Sequence, residues 1–339
     1  MRHFIVVGIL VILVSILLYM GLSSAHLMPL EASAQAVPID WMWNLILIVM
    51  SFFFSLIVVP MAYSLVVFRR RRGETGDGAH FEGNTTLELL WSSIPLVIVV
   101  AFSVIGARNL SQTLSRDPNA MVIKVTGIQW SWRFEYPADP ESGVAVVSSE
   151  LHLPVGKQVL LRMTSSDVIH SFWVPEFRVK QDLVPGRFTE LVITPTREGN
   201  YKVRCAELCG TSHAYMEKPV IITSKDEYNT WLAQELEIAK TAASNPEGMG
   251  QLLVSQNGCG ACHSITGTAG IGPTWLGLFG SQVTLSDGST VLADEAFIAE
   301  SIQSPQAKIV KGFETQKMVQ YSFTPDELAA IVAYIKTLK

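Results

Sequence analysis

Apolar residues are concentrated in the first third of the chain, in three long runs: Phe4 to Leu22, about Trp41 to Phe68, and about Leu87 to Ile105. Each is long enough to cross a hydrocarbon core of roughly 30 Å at about 1.5 Å per residue. From Met121 the pattern changes to alternation, as in 122–126, 158–162 and 188–193, with turn signals at Pro185-Gly186 and Glu198-Gly199-Asn200. Short strands at this spacing predict an all-β sandwich or barrel. Ser224-Lys225-Asp226-Glu227 is a capping box that opens a helix to about Ala243, and 244–248 reads as a linker. Beyond it the pattern is helical, ending in a helix from Pro325 to Leu338 with Leu328, Ile331, Val332 and Ile335 on one face. The expected divisions are an N-terminal apolar segment (1–25), a helical hairpin (41–108), a β domain (120–223), a helix and linker (224–248), and a small helical domain (249–339).

Charge orients these parts. The second run ends on Arg69-Arg70-Arg71-Arg72, which belongs on the cytoplasmic side, so the third run returns the chain and everything after Asn109 is extracytoplasmic. Trp41, Trp43 and Trp91 lie near run ends, where indole rings favour the interfacial layer. The first run has two readings. Arg2, the apolar stretch and Ser23-Ser24-Ala25 fit a cleaved signal peptide, and they fit a retained span equally well. Net charge is −5, with the basic cluster at the membrane and no basic stripe elsewhere, which argues against nucleic acid as a partner.

The chain has four cysteines. Cys205 and Cys209 share one short stretch with His213 and Met216, and soft sulfur with imidazole selects copper over hard cations. A second thiolate allows two metals to be bridged where a single blue-copper site needs only one Cys. A disulfide between Cys205 and Cys209 is the alternative, but it leaves His213, Met216 and the upstream His170 without a role. Glu207, between the two cysteines, offers a carboxylate to a neighbouring hard ion. Cys259-Gly260-Ala261-Cys262-His263 is the attachment pattern of c-type haem. A thioredoxin-like reading of Cys-x-x-Cys is opposed by His263 and by the lack of a βαβ pattern around it.

Residues 40–223 resemble subunit II of haem–copper cytochrome c oxidases, through the helical hairpin, the aromatic stretch 129–136, Val-Ile-His-Ser-Phe-Trp-Val-Pro at 168–175, and the cysteine loop. Residues 249–339 resemble a class I cytochrome c, and the combination is similar to caa-type oxidases. The resemblance implies a membrane α-helical hairpin, an all-β cupredoxin-like Greek-key barrel, and an all-α cytochrome c domain. It implies a binuclear copper centre (CuA) in which Cys205 and Cys209 bridge, His170 and His213 each bind one copper, Met216 is a weak axial ligand, and the Glu207 carbonyl is the other. It also implies a Glu207 side chain on Mg²⁺ or Mn²⁺ at the subunit I interface. His263 and Met318 become the haem axial ligands, with Gly272-Pro273 orienting His263; the proline usual after that Met is Val319 here.

Trp130 and Trp132 read as alternate positions of one strand, one of them barrel core. The resemblance makes Trp130 the point where electrons reach copper. Glu88 has two readings: the end of a capping box opened by Thr85, or a carboxylate at the mouth of a proton channel into subunit I. The whole is expected to be the electron-receiving subunit of a proton-pumping terminal oxidase in a bacterial cell membrane. Electrons would pass from an external c-type cytochrome or other small donor through haem c and CuA to subunit I, where oxygen becomes water, with subunit III as a further partner. The rivals are a copper-bearing subunit of a nitric oxide reductase and a membrane-tethered copper-binding protein.

Overall fold

The computed structural model describes all of the 339 residues except Arg71, Glu74, Ala79, Phe81 and Ser322, and the side chain of Ala243. One member of the Arg69–Arg72 run, Arg71, therefore lies outside the described residues.

Three helices make up one unit: α1 (Arg2–Ser24), α2 (Ala36–Val67) and α3 (Thr85–Thr113). Each is long and apolar enough to cross a membrane. Side chains such as Ile57, Leu65 and Val97 stand exposed on them, as suits helices whose solvent is lipid. α1 runs antiparallel to α2, with His3 Nδ1 2.8 Å from the Tyr63 hydroxyl. Asn109 Nδ2 donates to the Pro38 carbonyl at 3.0 Å and ties α3 to the start of α2. The start of α3 corrects the Thr85 capping box. Asn84 is the cap, its side chain accepting from Leu87 N–H at 3.2 Å, and Asn outranks Thr at that position. Glu88 keeps its place in the first turn, where the helix dipole favours a carboxylate.

The second unit holds the rest of the chain from Arg116, together with Ala32–Ala34. Its strands are β1 (Met121–Ile128), β2 (Ser131–Glu135), β3 (Val147–Ser148), β4 (Leu151–Pro154), β5 (Val159–Ser165), β6 (His170–Trp173), β7 (Lys180–Leu183), β8 (Thr189–Ile193), β9 (Gly199–Cys205) and β10 (Glu217–Thr223). They form two five-stranded sheets, ordered β3-β2-β1-β5-β8 and β4-β10-β9-β6-β7, facing each other as a cupredoxin-like barrel. Alternation decides the faces. Ile123 and Val125 of β1 are fully buried, while Lys124 between them is exposed and pairs with Glu135 of β2 at 2.5 Å. Trp132, Phe134, Leu161, Met163 and Phe172 fill the space between the sheets. Ala32 is buried in the same core, and its N–H donates to the Glu176 carbonyl at 3.1 Å.

The helix α4 (Lys225–Ala243) starts at the Ser224/Glu227 capping box. It lies on the barrel through Trp231, whose ring stacks on His152 at 3.9 Å and meets Tyr136 edge-on at 5.0 Å. The expected linker shrinks, because α5 (Pro246–Gln256) begins inside it. Asn245 caps α5 through Gly248 N–H, and Pro246 occupies the first helical position, where its missing N–H costs nothing. The remaining elements are a hairpin of β11 (Gln282–Thr284) and β12 (Thr290–Leu292), then α6 (Glu295–Gln303) and α7 (Pro325–Thr337). Leu253, Trp275, Phe297, Ile298, Leu328, Ile331 and Ile335 form a second core. α5 and α7 cross at Gly250, where a Cβ would meet the Ala330 carbonyl oxygen at 1.9 Å.

Candidate copper centre and haem cleft

One loop and two strand ends supply the sulfur and imidazole groups. β9 ends at Cys205, and the loop to β10 carries Glu207, Cys209, His213 and Met216. His170 opens β6, which pairs with β9 in the register Phe172 to Cys205, so the distant histidine arrives beside the loop through the sheet. Cys205 Sγ lies 3.7 Å from Cys209 Sγ, 3.8 Å from His170 Nδ1 and 3.2 Å from the Glu207 carbonyl oxygen. Cys209 Sγ lies 3.5 Å from His213 Nδ1 and 3.7 Å from Met216 Sδ. A disulfide needs sulfurs about 2.05 Å apart, and both cysteines are free.

Electrostatics favour a cation here. Burial raises the Cys205 thiol, but bonds from His170 and nearby backbone groups outweigh it and bring the pKa down. Burial, then the neighbouring Cys205 charge, push Cys209 up. The pair alone therefore holds one thiolate and one thiol, and ionising both needs positive charge between them. His170 Nε2 is 2.8 Å from Asp167 Oδ1. Burial lowers the His170 pKa and this bond raises it, with a net rise. Asp167, raised by burial but lowered more by His170 and by the Gln129 and Val168 amides, stays ionised. The carboxylate thus turns Nδ1 of His170 toward the sulfurs, the partner arrangement expected of a metal-bound imidazole. The soft donors and mutual spacing fit copper.

The register Ile128 to Ser131 makes Gln129 and Trp130 the two residues of the β1–β2 turn. This corrects the expectation of two tryptophans alternating on one strand. Trp132 is core, 1% exposed, and Trp130 lies half-buried over the cysteine loop. Gln129 Nε2 and Trp130 Nε1 both donate to the Cys209 carbonyl, at 2.7 and 3.2 Å. Gly210, with φ +120°, lets them approach: a Cβ there would lie 3.0 Å from the Gln129 amide nitrogen and 3.2 Å from the Trp130 ring.

Cys259, Cys262, His263, Pro273, Trp275 and Met318 line one cleft, otherwise mostly apolar. Nδ1–H of His263 donates to the Pro273 carbonyl at 2.8 Å, which leaves the Nε2 lone pair free. Burial lowers its pKa, so the ring is neutral, as a ligand must be. The imidazole stacks on Trp275 at 4.8 Å, and Gly272 lies so close beneath it that a Cβ would be 2.7 Å from its Cε1. Burial pushes the Cys259 thiol up to about 12 and raises Cys262 as well. Two neutral sulfurs, one free imidazole nitrogen and a thioether around an apolar cleft fit a covalently held haem.

Comparison with known proteins agrees with this geometry. The transmembrane domain of cytochrome c oxidase subunit II matches residues 20–107, its periplasmic domain matches 140–225, and cytochrome c matches 249–339. Cytochrome c oxidase subunit 2 of Synechocystis sp. (strain ATCC 27184 / PCC 6803 / Kazusa) is 34% identical over 274 residues, covering 67% of this chain and 80% of that protein. The chain belongs to the cytochrome c oxidase subunit II family. The subunit 2 of Alkalihalophilus pseudofirmus is 29% identical over 316 residues, 88% of each chain. A crystal structure of the periplasmic domain of subunit II (CoxB) of Bradyrhizobium japonicum is 33% identical, covering 37% of this chain and 96% of that one with a TM-score of 0.31. This oxidase subunit is thus a membrane protein with an extracytoplasmic redox domain, and it carries its own cytochrome c domain. It is a component of an oxidoreductase complex, the one through which electrons enter the oxidase.

The cysteine loop and the Cys-x-x-Cys-His turn are each local in the sequence. Asp167, Gln129, Gly210 and Trp275 were not singled out for a role. The Asp-x-x-His spacing of Asp167 and His170 was the one available signal among them.

Proposed function

We propose that Cys205 and Cys209 would supply thiolates to a pair of copper ions, that His170 and His213 would each offer Nδ1 to one of them, and that Met216 and the Glu207 carbonyl would complete the donor set. The observation that carries this reading is the spacing of 3.2–3.8 Å among these donor atoms around two free sulfurs. Cys259 and Cys262 would hold haem c by thioether bonds, and His263 and Met318 would offer a nitrogen and a sulfur to its iron. When bound, these groups take up and release electrons one at a time. The chain supplies everything else. Asp167 fixes the ring of His170, and Trp132 packs edge-on against it at 6.3 Å. Pro273 fixes His263. Trp130 spans the space between the haem cleft and the Cys209 carbonyl and is the route between them.

Electrons arrive from a small external c-type cytochrome or similar donor and leave toward subunit I, where oxygen is reduced to water and protons are pumped. Subunit III completes the complex. The exposed Glu207 side chain is available for Mg²⁺ or Mn²⁺ shared with subunit I, and Glu88 for proton uptake beside its role at the head of α3.

The purified complex tests this reading. It should consume oxygen when haem c is reduced, with two coppers per chain in the extracytoplasmic part and haem that survives denaturation. One copper, or zinc, would sink the binuclear assignment. Met318→Ala should keep the haem attached but lower its midpoint potential, since a thioether ligand raises it. An unchanged potential in redox titration would place the sixth ligand elsewhere.

A further inference from the structure

The haem-attachment turn rests directly on the barrel. Gly258 precedes Cys259 and has φ +69°. A Cβ on it would lie 2.5 Å from Ser131 Cβ and 2.8 Å from Ser131 Oγ. Ser131 is 3% exposed and follows Trp130; its Oγ has no hydrogen-bond partner among the described residues. Nearby, Gln256 is 7% exposed and its Nε2 donates to the Val147 carbonyl of β3 at 3.4 Å. A continuous line of contact therefore runs from Cys259 through Gly258, Ser131 and Trp130 to Cys209. At both close approaches a side chain is missing: Gly258 on the haem side, Gly210 under Trp130 on the copper side.

We propose that Ser131 and Gly258 are positioning residues that seat the haem-attachment turn against the Trp130 turn and so set the haem-to-copper separation. The inference rests on the copper and haem assignments above and adds residues that ligate neither group. Two physical points support it. Gly258 is needed twice over, once for a left-handed backbone and once for the contact. The hydroxyl of Ser131 makes no hydrogen bond among the described residues, and the tight Gly258 contact leaves no room for a longer side chain, so small size is what matters at 131. α4 is anchored on the barrel by Trp231, and only Ser244 and Asn245 separate it from α5, so the tether already holds the turn near its seat. The Ser131–Gly258 contact then selects one seating among the few allowed. With both groups bound, the one electron lost by the haem would be the one gained by the copper pair, with no bond made or broken and no proton moved.

The test uses the assembled oxidase with Ser131→Ala, Ser131→Thr and Ser131→Leu. Flash-induced transfer from haem c to copper should be near the wild-type rate in Ser131→Ala, slower in Ser131→Thr, and about tenfold slower in Ser131→Leu, because overpacking a tight contact depopulates it by a factor of about that order. Haem and copper spectra, and copper reduction by a small diffusing reductant, should not change. Amide-hydrogen exchange at 129–131 and 256–258 should quicken in the same order. If Ser131→Leu fails to fold, Ser131→Thr decides. A wild-type rate in a larger variant with intact spectra overturns the seam alone, as does unchanged exchange. Absence of haem or copper signals in the wild type would overturn the assignments beneath it as well.

Discussion

Cys209→Ser should leave a folded, membrane-inserted subunit that has lost its binuclear copper signal and cannot pass electrons onward from haem c. Cys209 Sγ is central to the site: Cys205, His213 and Met216 all lie within 3.7 Å of it. A serine oxygen is hard and holds its proton far above neutral pH, so it cannot replace a soft bridging thiolate. Cys205 would remain with His170 and the Glu207 carbonyl, a set suited to one metal. The fold should survive. Cys209 belongs to the barrel core with Trp132, Phe134 and Phe172, but the side chain is small and the substitution nearly isosteric, so the stability cost is about 1 kcal/mol. Electron paramagnetic resonance of the purified complex, with copper analysis, is the measurement. Haem c should still be reduced by donor and remain reduced. Two coppers with an unchanged mixed-valence signal would remove Cys209 from the bridge.

Much of this was readable in the sequence because the relevant signals are local. Cys205 to Met216 is one loop, Cys259 to His263 one turn, and the apolar runs are long. What escaped depends on strands that meet across sequence distance. His170 lies 35 residues from Cys205, and the motif resemblance flagged it, but its partner Asp167 gains meaning only from the 2.8 Å contact. Trp130 looked like a strand position because the sequence alternates through it. The pairing of Ile128 with Ser131 instead puts it in the turn, facing the loop 79 residues later. Asn84 took the cap from Thr85 because a better-ranked residue stood one place earlier. The expected linker contained its own N-cap and a proline at the first helical position, and those local signals started α5 within it. The seam at Ser131 and Gly258 has no sequence signature, since a serine and a glycine read as ordinary turn residues.

Gly250→Ala should unfold the cytochrome domain at lower temperature or denaturant than wild type, and here two effects oppose each other. Gly250 is inside α5, where alanine is favoured over glycine by about 1 kcal/mol. Against that gain stands the α5–α7 crossing. The new Cβ would lie 1.9 Å from the Ala330 carbonyl oxygen, 2.5 Å from its carbon and 2.8 Å from Tyr334 Cβ. The first two are helix backbone, which cannot rotate away as a flexible side chain would. Relief requires the helices to separate by about 1.5 Å, a large displacement for a close-packed interface. That movement strips contacts from Leu253 and Val254 on one side and Ile331 and Ile335 on the other. Overpacking of this kind costs about 3 kcal/mol, so the clash outweighs the propensity gain by about 2 kcal/mol. The consequence reaches the haem, because Ile335 of α7 lines the cleft that receives it. Unfolding of the domain followed by haem absorbance should show the shift, while the copper signal of the barrel stays as in wild type. A midpoint equal to or above wild type would mean that the two helices cross with more room than Gly250 suggests.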